Sequence, residues 1–95
     1  MNVYLVAYDI ADDKRLKKTY KTMRGFGEHI QYSIFRCELS DANLVRMKLA
    51  LTDVIQANED QVLIFRLGPA DGVFTEQVDA LGLPYGHVVR EAVIV

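Results

Sequence analysis

An α+β fold, with two helices packed on one face of a four-stranded antiparallel sheet, is the class that this 95-residue sequence predicts. Three observations carry the prediction. Short apolar runs rich in β-branched and aromatic residues, such as Val3 to Tyr8 and Val62 to Phe65, have the length of buried strands. Two longer stretches between them repeat their apolar residues at helical spacing. Clusters of Asp, Asn, Gly and Ser separate one kind of stretch from the other.

The first strand, Val3 to Tyr8, is stopped by Asp9-Ile-Ala-Asp-Asp13. Asp12 is suited to cap a helix, and acids in a first turn match the positive end of the helix dipole. The helix that follows places Leu16, Tyr20 and Met23 on one face, with cations on most other positions. It is expected to close at Gly25-Phe-Gly27, where glycine can adopt the left-handed conformation. His29 to Leu39 then alternates as a strand does, either as one long strand or as two short ones in a tight hairpin. No Asn-Gly or Gly-Gly pair marks a turn, so the pattern leaves both open. Ser40 caps a second helix whose apolar set is Leu44, Met47, Leu51, Val54 and Ile55, ended by Asn58 to Asp60. Gln61 to Leu67 is a further buried strand, and Gly68 to Gly72 a turn cluster. Val73 to Leu81 fits a short helix or an irregular arm, and His87 to Val95 a last β-prone strand.

Splitting the middle segment gives the order βαββαβ, the ferredoxin-like arrangement. The chain is then one domain over 1–95, with a core of about 1–68 and a C-terminal arm and strand of about 69–95. An apolar terminal strand left at a sheet edge invites pairing with another chain. Its exchange between two copies predicts a homodimer.

Composition narrows the function. At 51% hydrophobic and 25% charged, the chain is neither disordered nor low in complexity. Its longest apolar run, Val3 to Tyr8, is far short of the roughly 20 residues of a bilayer span, so no membrane partner is expected. The start of the chain lacks the features of a signal peptide, and Cys37 is the only cysteine, which together point to a reducing cytoplasm. Cys37 reads as a small core residue. There is no Walker A loop, no dinucleotide fingerprint, and no metal-ligand spacing between His29 and His87. The net charge of −2 argues against a nucleic-acid binder, but it is unevenly spread: +3 over residues 1–36 and −5 over residues 37–95. Lys14, Arg15, Lys17, Lys18, Lys21 and Arg24 fall in a stretch without a single acid. Such a strip is either a solvated helix face or a place where phosphates sit.

Asp9, at the end of the first strand and just before that strip, is the residue with most chemical scope. It fits an Asx turn or helix cap, and equally a hard oxygen ligand for Mg²⁺ or Mn²⁺. One carboxylate is a poor metal site, whereas two copies of Asp9 across a dimer axis make a workable one. Such an ion could activate water at a phosphodiester while Lys14, Arg15 and Lys18 hold the flanking phosphates. Tyr8 and Phe35 read as core aromatics, with base stacking as the alternative.

The run Tyr8-Asp-Ile-Ala-Asp-Asp-Lys-Arg15, the helix closing at Gly25-Phe-Gly27, and Ile30-Gln-Tyr-Ser-Ile-Phe35 together resemble the CRISPR-associated Cas two (Cas2) family. The likeness extends through Cys37-Glu-Leu-Ser40, Val62 to Leu67 and the C-terminal strand, and so over nearly the whole chain. It implies a ferredoxin-like homodimer with a metal-dependent endonuclease activity on single-stranded RNA or double-stranded DNA. It also implies the family's role in spacer acquisition for antiviral defence, bridging dimers of the Cas one (Cas1) integrase as a DNA-binding adaptor. Carried over residue by residue, it implies Asp9 as the Mg²⁺ ligand, Arg15 and Lys18 as basic contacts, and Ser33 and Phe35 as the matching positions of the second motif. His29 stands where the family usually has Arg, which makes it the candidate nucleic-acid contact there. Leu16 replaces a second Arg and thins the basic strip.

Overall fold

In the computed structural model of the chain, residues 1–70 and 78–85 are described. They form β1 (Asn2–Asp9), α1 (Asp13–Arg24), β2 (Glu28–Gln31), β3 (Ile34–Leu39), α2 (Asp41–Val54) and β4 (Gln61–Pro69). The sheet order is β2-β3-β1-β4, with every neighbour antiparallel. This is the ferredoxin-like βαββαβ arrangement expected from the sequence. The final strand, expected over 87–95, and most of the arm before it lie outside the described residues.

Strand alternation decides which side chains meet the helices. Tyr4, Val6 and Tyr8 of β1 and Phe35, Cys37 and Leu39 of β3 point to one face, where they pack with Met23 of α1 and Met47 and Leu51 of α2. Both helices therefore cover the same side of the sheet. The helix starts follow from their caps. The Asp12 carboxylate accepts the Arg15 N–H at 3.0 Å, and the Ser40 hydroxyl accepts the Asn43 N–H at 3.2 Å. Thr19, fully buried on α1, donates its hydroxyl to the Arg15 carbonyl at 2.8 Å, so the core carries no unsatisfied polar side chain there.

One alternative left open by the sequence is resolved, and three details differ from the sequence reading. The segment 29–39 is a hairpin, turned at Tyr32 and Ser33 between the paired residues Gln31 and Ile34. Tyr32 takes the positive φ of 45° that glycine would ordinarily supply. Gly25 closes α1 at φ −78°, in the right-handed region, so the expected left-handed cap is absent. The reason for glycine next to it is proximity instead. A Cβ on Gly27 would collide with the Arg36 carbonyl oxygen and Cys37 Sγ, so only a bare backbone lets this segment lie against β3. α2 ends at Val54, before Asn58. β4 runs through Gly68, whose φ of 120° accommodates a bulge in its register with β1 near Val3 and Tyr4.

β4 was also expected to be a buried strand, and only one of its faces packs on the core. Val62 and Ile64 pack on the core, whereas Leu63, Phe65 and Leu67 remain 43%, 47% and 51% exposed on the other side. Neither α1 nor α2 covers that face, because both are committed to the opposite one. Cys37, by contrast, is fully buried as expected.

Gly27→Ala is expected to destabilise the fold by about 2 kcal/mol or more, the cost of forcing a methyl group into packed backbone. A urea titration checks this, the expected result being a lower midpoint at an unchanged slope.

Candidate functional site

Asp9 is the last residue of β1, exposed, and paired across the sheet with Gln61 at the start of β4. By alternation it lies on the open face with Leu5 and Ala7, opposite to Tyr4, Val6 and Tyr8. Its carboxylate has no hydrogen-bond or ion-pair partner among the described residues. From here the chain turns through Ile10 and Ala11 into α1. Lys14, Lys17, Lys18 and Lys21 are all exposed on that helix and carry no ion pair among the described residues. Arg24 extends the strip and stands 5.9 Å from the Tyr20 ring centre.

Arg15 differs from these lysines in being tied into an ion-pair arrangement within the fold. Its Nε and Nη2 donate to the Asp60 carboxylate at 2.8 and 3.1 Å, and Nη2 also donates to Glu59 at 2.9 Å. Asp60 is the centre of a knot. It accepts the Ala11 N–H at 2.9 Å and the Gln56 N–H at 2.7 Å in addition, and its side chain is completely shielded from solvent. The Arg15 guanidinium, helped by those two backbone donors, holds the Asp60 carboxyl well below the usual carboxylate range against the opposing effect of burial. The same bonds hold Arg15 in its charged form still more firmly than usual. The β1–α1 loop that follows Asp9 is thereby fastened to the α2–β4 turn.

His29 also makes contacts within the fold. Its ring is half-buried between Tyr20 and Phe35, at centroid distances of 5.2 and 5.1 Å. Its Nε2 lies 2.6 Å from the Tyr32 carbonyl oxygen, which can only accept, so that nitrogen carries the proton. In this arrangement the His29 ring braces the hairpin turn. Phe35 is fully buried and Tyr8 nearly so, as core aromatics stacked at 6.2 Å. Burial pushes the Tyr8 phenol up to about 12, although a side-chain hydrogen bond with Ser33 opposes the shift. Ser33 also accepts the Tyr8 N–H on its carbonyl at 3.0 Å, tying the hairpin tip to the end of β1.

Asp9 at the end of β1 and Lys14 and Lys18 on the α1 that follows are exposed, whereas Arg15, His29, Tyr8 and Phe35 make contacts within the fold. Sequence reasoning missed Asp60, which reads there as one of several residues ending a helix. Its partner lies 45 positions away, and no local pattern announces it.

Residues 1–71 match the family described as CRISPR-associated protein Cas2. The chain belongs to the Cas2 family. A relative from Geobacter sulfurreducens, named CRISPR-associated endoribonuclease Cas2, is 38% identical over 94 residues, covering 99% of this chain and 98% of that protein. A second, from Rhodospirillum rubrum and also named an endoribonuclease Cas2, is 39% identical over 94 residues, covering 99% of this chain and 91% of that one. Among solved structures, Streptococcus pyogenes Cas2 at pH 6.5 superimposes with a TM-score of 0.73 and 29% identity, covering 84% of this chain and 99% of that chain. A hypothetical protein from Thermus thermophilus gives the same TM-score at 28% identity, covering 86% and 92%. No described helix is long and apolar enough to cross a membrane.

The Asp60 knot predicts an acid-sensitive contribution to stability. A carboxyl whose folded-state pKa is depressed stabilises fully above its unfolded value, about 3.9 for Asp, and loses that contribution as pH falls further. The stability gap between wild type and Asp60→Asn is therefore expected to be constant above about pH 5 and to narrow below about pH 4. Denaturant midpoints measured across that range check it.

Proposed function

We propose that the chain is a metal-dependent endonuclease that cuts a phosphodiester of RNA or DNA as a homodimer, in the spacer-acquisition stage of CRISPR antiviral defence. The observation that carries this reading is Asp9, exposed and unpartnered among the described residues, beside a row of unpaired lysines. The names of the relatives support it, two of them endoribonucleases and another, from Halalkalibacterium halodurans, an endonuclease.

A carboxylate is a hard oxygen donor of the kind Mg²⁺ and Mn²⁺ prefer. One protomer is not enough: among the described residues, no three His, Cys, Asp or Glu approach closely enough to hold an ion. The donor set fits a divalent cation when a second copy contributes its own Asp9. The open sheet face supports such pairing, since Leu63, Phe65 and Leu67 form an exposed apolar row on the very side to which Asp9 points. A second copy laid on this row buries it and brings two Asp9 side chains to one seam. When bound there, the ion supplies Lewis acidity and an activated water. The protein's part is to hold the polynucleotide in line: Lys14, Lys17 and Lys18 grip phosphates on either side, and Asp60 keeps the loop carrying Asp9 and α1 in register.

The lysine strip favours a second reading as well. Its hold on a phosphate backbone does not involve Asp9, so the same dimer can serve as a non-catalytic DNA-binding adaptor bridging the Cas1 integrase.

Asp9→Asn is expected to lower Mg²⁺- or Mn²⁺-dependent cleavage of labelled RNA or duplex DNA by about a hundredfold or more, while leaving retention of the substrate intact. Chelator should do the same to wild type. Wild type without cleavage, together with spacer insertion that survives Asp9→Asn, would assign the chain to the adaptor role instead. Phe65→Lys places a charge in the open face and is expected to halve the mass seen by light scattering. An unchanged mass removes this face from the dimer.

A further inference from the structure

The β2–β3 hairpin tip holds a residue that packing does not explain. Tyr32 is the sole non-glycine residue with a positive φ among those described, at 45°. An aromatic side chain there costs free energy that glycine would not. Nor is the ring used in the core. It is 66% exposed, and it takes no part in the cluster of Tyr8, Tyr20, His29 and Phe35 immediately beneath it. Yet the backbone that carries it is pinned twice. His29 Nε2–H donates to the Tyr32 carbonyl at 2.6 Å, and Tyr8 N–H donates to the Ser33 carbonyl at 3.0 Å.

The same bonds also place the residue along the sheet. Ala7 pairs with Ile34, and the bond from Tyr8 to Ser33 continues the same register, which brings Tyr32 level with Asp9. An exposed aromatic on a pinned, strained backbone thus stands level with the candidate reacting carboxylate along the sheet, and the chain continues from Asp9 into the helix that bears the exposed Lys14 and Lys18.

We propose that Tyr32 is a nucleobase platform: its ring stacks on a base next to the phosphate presented to Asp9, and so selects single-stranded over duplex nucleic acid. The inference rests on the nuclease reading for the placement of that phosphate. A π-face accepts any base, so the platform is indifferent to sequence. Bases inside a duplex are already stacked on one another and cannot reach it. The phenol oxygen plays no part, whereas the ring is essential.

The test compares wild type, Tyr32→Phe and Tyr32→Gly for binding to a single-stranded RNA containing 2-aminopurine and to duplex DNA, in chelator so that nothing is cut. Tyr32→Gly is expected to weaken RNA binding about tenfold or more and to leave duplex binding within about twofold of wild type. Tyr32→Phe should match wild type. The 2-aminopurine fluorescence should be quenched by wild type and Tyr32→Phe but not by Tyr32→Gly. Because glycine suits the left-handed backbone, its melting temperature should stay within a few degrees of wild type, so lost binding is not lost folding. Unchanged RNA affinity in Tyr32→Gly overturns the proposal. So does an equal loss in Tyr32→Phe, which would make the hydroxyl the active group, or a dimer that dissociates in Tyr32→Gly. Tyr32-dependent RNA binding without cleavage when Mg²⁺ is restored would uphold the platform and sink the nuclease reading; no RNA binding by wild type would sink both.

Discussion

The carboxylate of Asp60 receives four donors from three places in the chain: the loop after β1, the first turns of α1 and the turn after α2. A shielded carboxylate is tolerable only when its lone pairs are so occupied, and losing a donor there leaves an uncompensated charge. That requirement makes the arrangement rigid. Asp9 itself needs to be exposed to meet a ligand, so it cannot be fixed by contacts of its own. Its geometry is instead set from behind, by the bond from Ala11 to Asp60 and by the Arg15 side chain that closes the same knot.

The strand carrying Asp9 has a second property that follows from its period of two. The residues that bury β1 against the helices are Tyr4, Val6 and Tyr8, and the intervening ones therefore face the side of the sheet away from α1 and α2. A site at the end of that series is placed at a prospective seam between molecules and not in a cleft of one. This is consistent with the absence, among the described residues, of a metal-binding group within the protomer. On the proposed reading, association and chemistry are properties of one surface.

Much of the architecture is written locally in the chain. The caps at Asp12 and Ser40, the apolar spacing of α1 and the β-branched runs of β1 and β4 each depend on neighbours a few residues away, and each is found where the pattern puts it. The hairpin between β2 and β3 was undecidable because Tyr32 occupies a backbone position that usually declares itself through glycine. Gly27 was read as a helix terminator, whereas its role is set by Arg36 and Cys37 on another element. The site shows the same division. Asp9 and the lysines are legible because being exposed requires no partner. Arg15 and His29 look like the same kind of residue in sequence, and only their distant partners, Asp60 and the aromatic pair Tyr20 and Phe35, reveal that the fold uses them.

Cys37 shows what such close packing entails over the lifetime of the molecule. It is fully buried, and burial, opposed by nearby Arg36, pushes its thiol up to about 11, so almost none of the reactive thiolate is present in the native chain. Oxidants and alkylating reagents can reach it only during an opening of the core. The sulfur lies where even a methyl group on Gly27 would not fit, so an adduct acquired in that moment has no room to return. Modification of Cys37 is thereby coupled to opening of the core, so the thiol reports how often β3 is uncovered.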